Sequence, residues 1–113
     1  MESILTSVKK QLGIAEEYTH FDPDIIMHIN TVFMILQQLG VGPEEGFMIE
    51  DELTTWEDFI PEGMHLTMVK TYVPLKVRLA FDPPSSSTHM NAIKEAIAEY
   101  EWRLNHAVDP KIF

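Results

Sequence analysis

A chain of 113 residues with 45% hydrophobic content makes one domain with a modest core and little room for a deep catalytic cleft. It has no cysteine, which excludes disulfides, zinc-thiolate sites and thiol nucleophiles and is compatible with a reducing compartment. The formal charge of −10 is unevenly placed: no Lys or Arg falls between Lys10 and Lys70, an interval that holds Glu16, Glu17, Asp22, Asp24, Glu44, Glu45, Glu50, Asp51, Glu52, Glu57, Asp58 and Glu62. Such a surface repels phosphate backbones, so tight wrapping of nucleic acid is excluded. It reads as a solvated face that keeps the chain soluble, as a surface for a basic partner, or as the wall of a passage through which a polyanion slides without sticking.

Ile4, Leu5, Val8 and Leu12 recur at helical spacing and predict a short amphipathic helix from about Glu2 to Leu12, ended by Gly13. Lys9 and Lys10 interrupt this run, so no signal peptide is expected, and no apolar stretch is long enough to span a bilayer. After a connector over residues 14–21, Asp22 is expected as an N-cap, with Pro23 at the first helical position and Asp24 beside the positive helix end. The second helix runs to about Leu39 and stops at Gly40. Ile25, Ile29, Val32, Phe33 and Leu36 make one stripe, which Ile26, Met27, Met34, Ile35 and Leu39 widen to most of the circumference. A helix so widely apolar needs cover from other helices or from neighbouring subunits.

Residues 41–63 are irregular, with turns at Gly42-Pro43 and Gly46, and Phe47-Met48-Ile49 reads as a short strand or a buried loop anchor. Thr54 with Glu57, and Thr55 with Asp58, both match the reciprocal capping pattern and predict a turn or two of helix over Trp56–Ile60. Trp56, Phe59 and Ile60 pin this connection to the core. A third helix from Met64 sets Leu66, Val69, Val73, Val77 and Ala80 on one side, with Pro74 bending it or splitting it in two. Lys70, Lys76 and Arg78 form the one basic cluster, read either as snorkelling and self-paired or as a partner-binding stripe.

Asp82-Pro83-Pro84 then stops the helix, and the Ser85–Thr88 run ends in Thr88, expected to start the next one. That last helix, about His89 to His106, buries Met90, Ile93, Ile97, Tyr100 and Leu104. Trp102 falls off its stripe, which makes it either a packing partner of the N-terminal helix or an interface anchor. Residues 109–113 form a tail whose Ile112 and Phe113 can dock on the body or on a partner. The fold class is all-α: a compact bundle of four to five helices over residues 1–108, with a C-terminal helical hairpin and an irregular middle connection.

The residues offer little chemistry. The five histidines are scattered, and His20, Asp22, Asp24 and His28, the nearest approach to a ligand cluster, are explained by the helix start, so no metal is expected. Glu50-Asp51-Glu52 lacks a calcium-loop pattern, and no phosphate loop, dinucleotide fingerprint or nucleophile elbow is present. Ser85–Ser87 with His89 and Asp82 is turn and cap vocabulary rather than a triad. No cofactor, catalytic residue or enzymatic activity is expected.

Phe21-Asp22-Pro23-Asp24, Thr55-Trp56-Glu57-Asp58-Phe59-Ile60, Val69-Lys70-Thr71-Tyr72-Val73, the stretch from Lys76 to Pro84 and the closing Glu101-Trp102-Arg103-Leu104 together resemble small all-helical head–tail connector proteins of tailed phages and prophages, some labelled DNA-packaging proteins. The resemblance covers nearly the whole chain. It implies self-association into a ring matched to the portal, about dodecameric, contact with the portal protein and a downstream connector or tail protein, DNA passing through the channel without tight binding, and a place in the virion after assembly in the bacterial cytoplasm. No membrane partner is implied. Interface candidates on this reading are Lys70, Lys76, Arg78, Trp102, Ile112 and Phe113. A reading from another class is a small acidic regulatory or inhibitory protein that binds a basic partner by imitating nucleic-acid charge.

Overall fold

A computed structural model describes residues 2–61 and 63–108, the side chains at 64, 107 and 108 excepted. Five helices follow one another: α1 (Ile4–Leu12), α2 (Asp22–Gln38), α3 (Trp56–Phe59), α4 (Met64–Phe81) and α5 (Ser87–Val108). No strand is present among the described residues, and the all-α bundle expected from the sequence is the fold observed. α4 is the hub, packing on α2, α5, α1 and α3. Its Leu66, Val69, Tyr72, Val73 and Val77 are buried, together with Ile25, Ile29, Val32, Phe33 and Leu36 of α2 and Ile93, Ile97 and Leu104 of α5. Each such aliphatic side chain is worth about 1.5–3 kcal/mol on full burial.

α1 starts at Ser3, whose hydroxyl accepts from the Thr6 amide, and ends at Gly13 in the left-handed region (φ 78°), where only glycine avoids a steric cost. Lys9 was expected only as an interruption of the apolar run; instead it is 2% exposed. Its ammonium donates to the carbonyl oxygens of Glu16 and Tyr18 at 2.9 and 2.8 Å and lies 2.9 Å from Asp22 Oδ1. A buried ammonium persists when it is hydrogen-bonded and paired, and here two carbonyls and the Asp22 carboxylate gather residues 13–22 around it. Asp22 is consequently not the N-cap of α2. Phe21 holds that position without a side-chain bond, and the Asp22 carboxylate serves Lys9.

The middle connection is tied by polar groups. Asn30 of α2 donates to the Ile49 carbonyl at 3.0 Å and accepts from the Ile49 amide at 2.8 Å, so Phe47-Met48-Ile49 is a loop anchor and not a strand. Of the two capping pairs, Thr55 and Asp58 form the box. The backbone just before α3 meets the N-terminus: the Ile4 amide donates to the Thr54 carbonyl at 3.0 Å and the Trp56 amide to the Glu2 carbonyl at 3.2 Å. Trp56 is fully buried and its indole donates to Ser7 Oγ at 2.9 Å. Phe59 and Phe47 flank Phe33 at 4.6 and 5.1 Å between ring centroids, and a Cβ at Gly42 (φ 90°) would collide with the Phe59 ring.

α4 runs through Pro74 as one helix, so the two-helix alternative does not hold, and Pro74 is buried. Ala80, expected on the buried side, is exposed. At the corner, Phe81 packs at the core's edge, 5.4 Å from the Phe21 ring. The cap of α5 is Ser86, whose hydroxyl accepts from the His89 amide at 3.3 Å. Thr88 lies inside the helix, because Ser86 already supplies the acceptor that the first turn needs.

Candidate interaction surface

The basic cluster on α4 is largely spent within the chain. Lys70 Nζ lies 3.5 Å from Glu2 Oε1, and Lys76 Nζ lies 3.3 Å from Glu101 Oε2. The same Glu101 oxygen accepts from the Tyr72 hydroxyl at 2.7 Å, so Tyr72, Lys76 and Glu101 lock α4 to α5. Burial, with the Glu101 carboxylate bonded to and charged beside it, pushes the Tyr72 hydroxyl well above the usual phenol range. Arg78 makes no ion pair among the described residues. With Gln11, Lys70, Thr71, Pro74 and Leu75 it lines a recess of about 350 Å³.

Trp102 does not pack on the N-terminal helix. It is 61% exposed on the side of α5 opposite Ile93, Ile97 and Leu104. Its ring stacks on His106 with centroids 3.9 Å apart, and His106 Nδ1 lies 3.0 Å from the Trp102 carbonyl oxygen. Ile112 and Phe113 lie outside the described residues.

The excess apolar width of α2 divides into two faces. One enters the core, while Met27 and Met34, two turns apart, stand 58% and 60% exposed on the other. Met48, held out by the Asn30–Ile49 clasp, is 69% exposed. Pro23, Ile26, Met27, Met34 and Met48 line most of a groove of about 410 Å³. A second recess of about 370 Å³ shares Met34 and Met48 and is edged by Glu45 and Phe47. The sequence signalled Met27 and Met34 by widening the stripe. Met48 lacked a signal beyond its apolar neighbours, because a loop has no period from which its outward side can be read.

No described side chains converge as reactive groups do. His20 and His28 meet Phe21 and Phe81 edge to face, Asp22 faces Lys9, and no group of three His, Cys, Asp or Glu is placed to hold a metal among the described residues. No described helix is long and apolar enough to cross a membrane. The conspicuous surface is instead an apolar strip on an acidic, all-helical domain, which is the mark of a protein that packs against other proteins. A family model described as phage connector protein matches residues 4–111, and the chain belongs to that family. No curated protein and no solved structure matches it.

Proposed function

We propose that this connector protein joins head to tail by assembling as a ring beneath the portal, extending the DNA channel and offering a platform to the next connector or tail protein. The observation that carries this reading is the unpartnered Met27, Met34 and Met48 strip, apolar area that a freely soluble monomer gains nothing by exposing. Repetition around a ring lets modest contacts of this kind add up on a shared template. The acidity between Lys10 and Lys70 suits a channel wall, since carboxylates draw no counterion release from passing DNA. The role is structural rather than catalytic, and its final place is the head–tail junction of the virion.

Mixing the purified protein with its portal protein tests this. Light scattering and electron microscopy are expected to show an annular complex carrying several copies per portal. A monomer at every concentration, with no portal complex, would sink the reading.

A further inference from the structure

We propose that the Met27, Met34 and Met48 groove receives an amphipathic helix of another protein of the head–tail junction, one whose apolar stripe is flanked by Lys or Arg. The inference rests on the connector reading and names the chemistry of the partner segment at this face. The groove of about 410 Å³ and the recess of about 370 Å³ share Met34 and Met48. Together they run from Pro23 to Gln37, about 21 Å along α2. That length suits roughly four turns of a docked helix, and the three thioethers re-pack around whatever apolar side chains enter. The polar groups along the strip are already engaged: Asn30 donates to the Ile49 carbonyl, Thr31 to the Met27 carbonyl and Gln37 to the Glu44 carbonyl. A partner therefore meets apolar atoms in the groove, and selection by charge falls to its border.

That border is acidic. Asp24 shares the outward face of α2 with Met27, Thr31 and Met34 at three- and four-residue spacing, Glu45 lines the second recess, and Glu50 lies two residues beyond Met48. All three carboxylates are exposed. Neither recess is lined by a Lys or Arg, and neither α2 nor the 41–54 loop carries one. Carboxylates without a compensating cation favour a basic helix over a neutral or acidic one. The same charges count against other occupants. Two copies groove to groove would set carboxylate against carboxylate, and an anionic bilayer surface is repelled likewise. Nor is α5 the complementary helix: Glu95 and Glu99 are exposed on the face of Trp102, and Arg103 is paired with Glu99 at 3.0 Å.

Methyl NMR of the full chain with isotopically labelled methionines tests this. The probes are synthetic peptides of about 18 residues, long enough to span the groove. One carries a Leu stripe flanked by Lys, a second the same stripe flanked by Glu, and a third the residues of the Lys peptide in scrambled order. The Lys peptide is expected to shift the Met27, Met34 and Met48 methyl signals, to leave those of Met68 and Met90 in place, and to bind about tenfold more tightly than either control. Met34→Gln alters an exposed side chain and is expected to weaken that binding about tenfold with circular dichroism unchanged. Glu45→Gln with Glu50→Gln is expected to flatten its salt dependence. Equal binding of the three peptides, or shifts at Met68 or Met90 instead, would overturn the groove assignment. So would the same three shifts produced without peptide, by concentrating the chain, by removing residues 109–113 or by adding phosphatidylserine vesicles. Such a failure with the portal complex still forming leaves the connector reading standing. The peptide contrast without any portal complex would overturn the connector reading, and the junction as source of the helix, while the partner chemistry of the groove stands.

Discussion

The α4–α5 hairpin carries a periodic apolar seam, Leu66, Val69, Val73 and Val77 on one helix and Ile93, Ile97 and Leu104 on the other, with one polar lock at Tyr72, Glu101 and Lys76. The N-terminal half instead depends on polar groups at single positions. Lys9 gathers residues 13–22, Asn30 clasps Ile49, and Trp56 bonds Ser7. The contrast follows from the backbone. A helix satisfies its own amides and needs only a side to bury, whereas a buried connection must find a partner for each N–H and C=O, and one side chain often supplies it. Loss is therefore spread along the hairpin and concentrated in the N-terminal half.

Mutations can break this comparison at its strongest point first. Lys9→Ala strands the Asp22 carboxylate and two carbonyls at once, and a loss of about 3 kcal/mol is expected, the lower end for a broken buried pair since Asp22 keeps some solvent access. Urea denaturation would read it directly, and a change under about 1 kcal/mol would show that residues 13–22 hold together without the ammonium. Asn30→Ala leaves both Ile49 groups unpaired and is expected to cost about 2 kcal/mol, with amide exchange accelerated across residues 46–50 and unchanged in α5.

Tyr72→Phe is expected to cost least, about 1 kcal/mol near neutral pH, because the Lys76–Glu101 pair and the seam remain. Its sharper signature is alkaline. Burial and Glu101 raise the folded-state pKa above that of the unfolded chain, so the stability this hydroxyl contributes is fully present below the ordinary phenol pKa, about 10, and is lost as pH rises above it. Between pH 9 and pH 11 the unmodified protein should lose stability faster than the Tyr72→Phe variant. Parallel curves would mean that the hydroxyl is not held in its neutral form by the fold.

The same contrast explains which elements were readable beforehand. Helix spans followed from apolar period and from Gly13, Gly40 and the Pro83-Pro84 stop, because propensity and chain termination are local. Caps were less secure. At Asp22 and Thr88 a capping residue of the right type was present, but an ion pair with Lys9 and the earlier hydroxyl of Ser86 took precedence. Trp102 was legible as off the stripe, and only the packed bundle distinguished an exposed ring from one lying on α1.

By itself the sequence determined an acidic, cysteine-free helical domain, the α4–α5 corner and a second helix with more apolar surface than one core contact uses. Periodicity, prolines and charge are properties of neighbouring residues, and they survive without any knowledge of the fold. The tertiary structure alone decided that Lys9 is a buried organiser, that Met48 joins Met27 and Met34 across a loop, and that Trp102 stands exposed. Those relations join residues far apart in the chain, where no local pattern records which side a residue faces once α4 has packed between its neighbours.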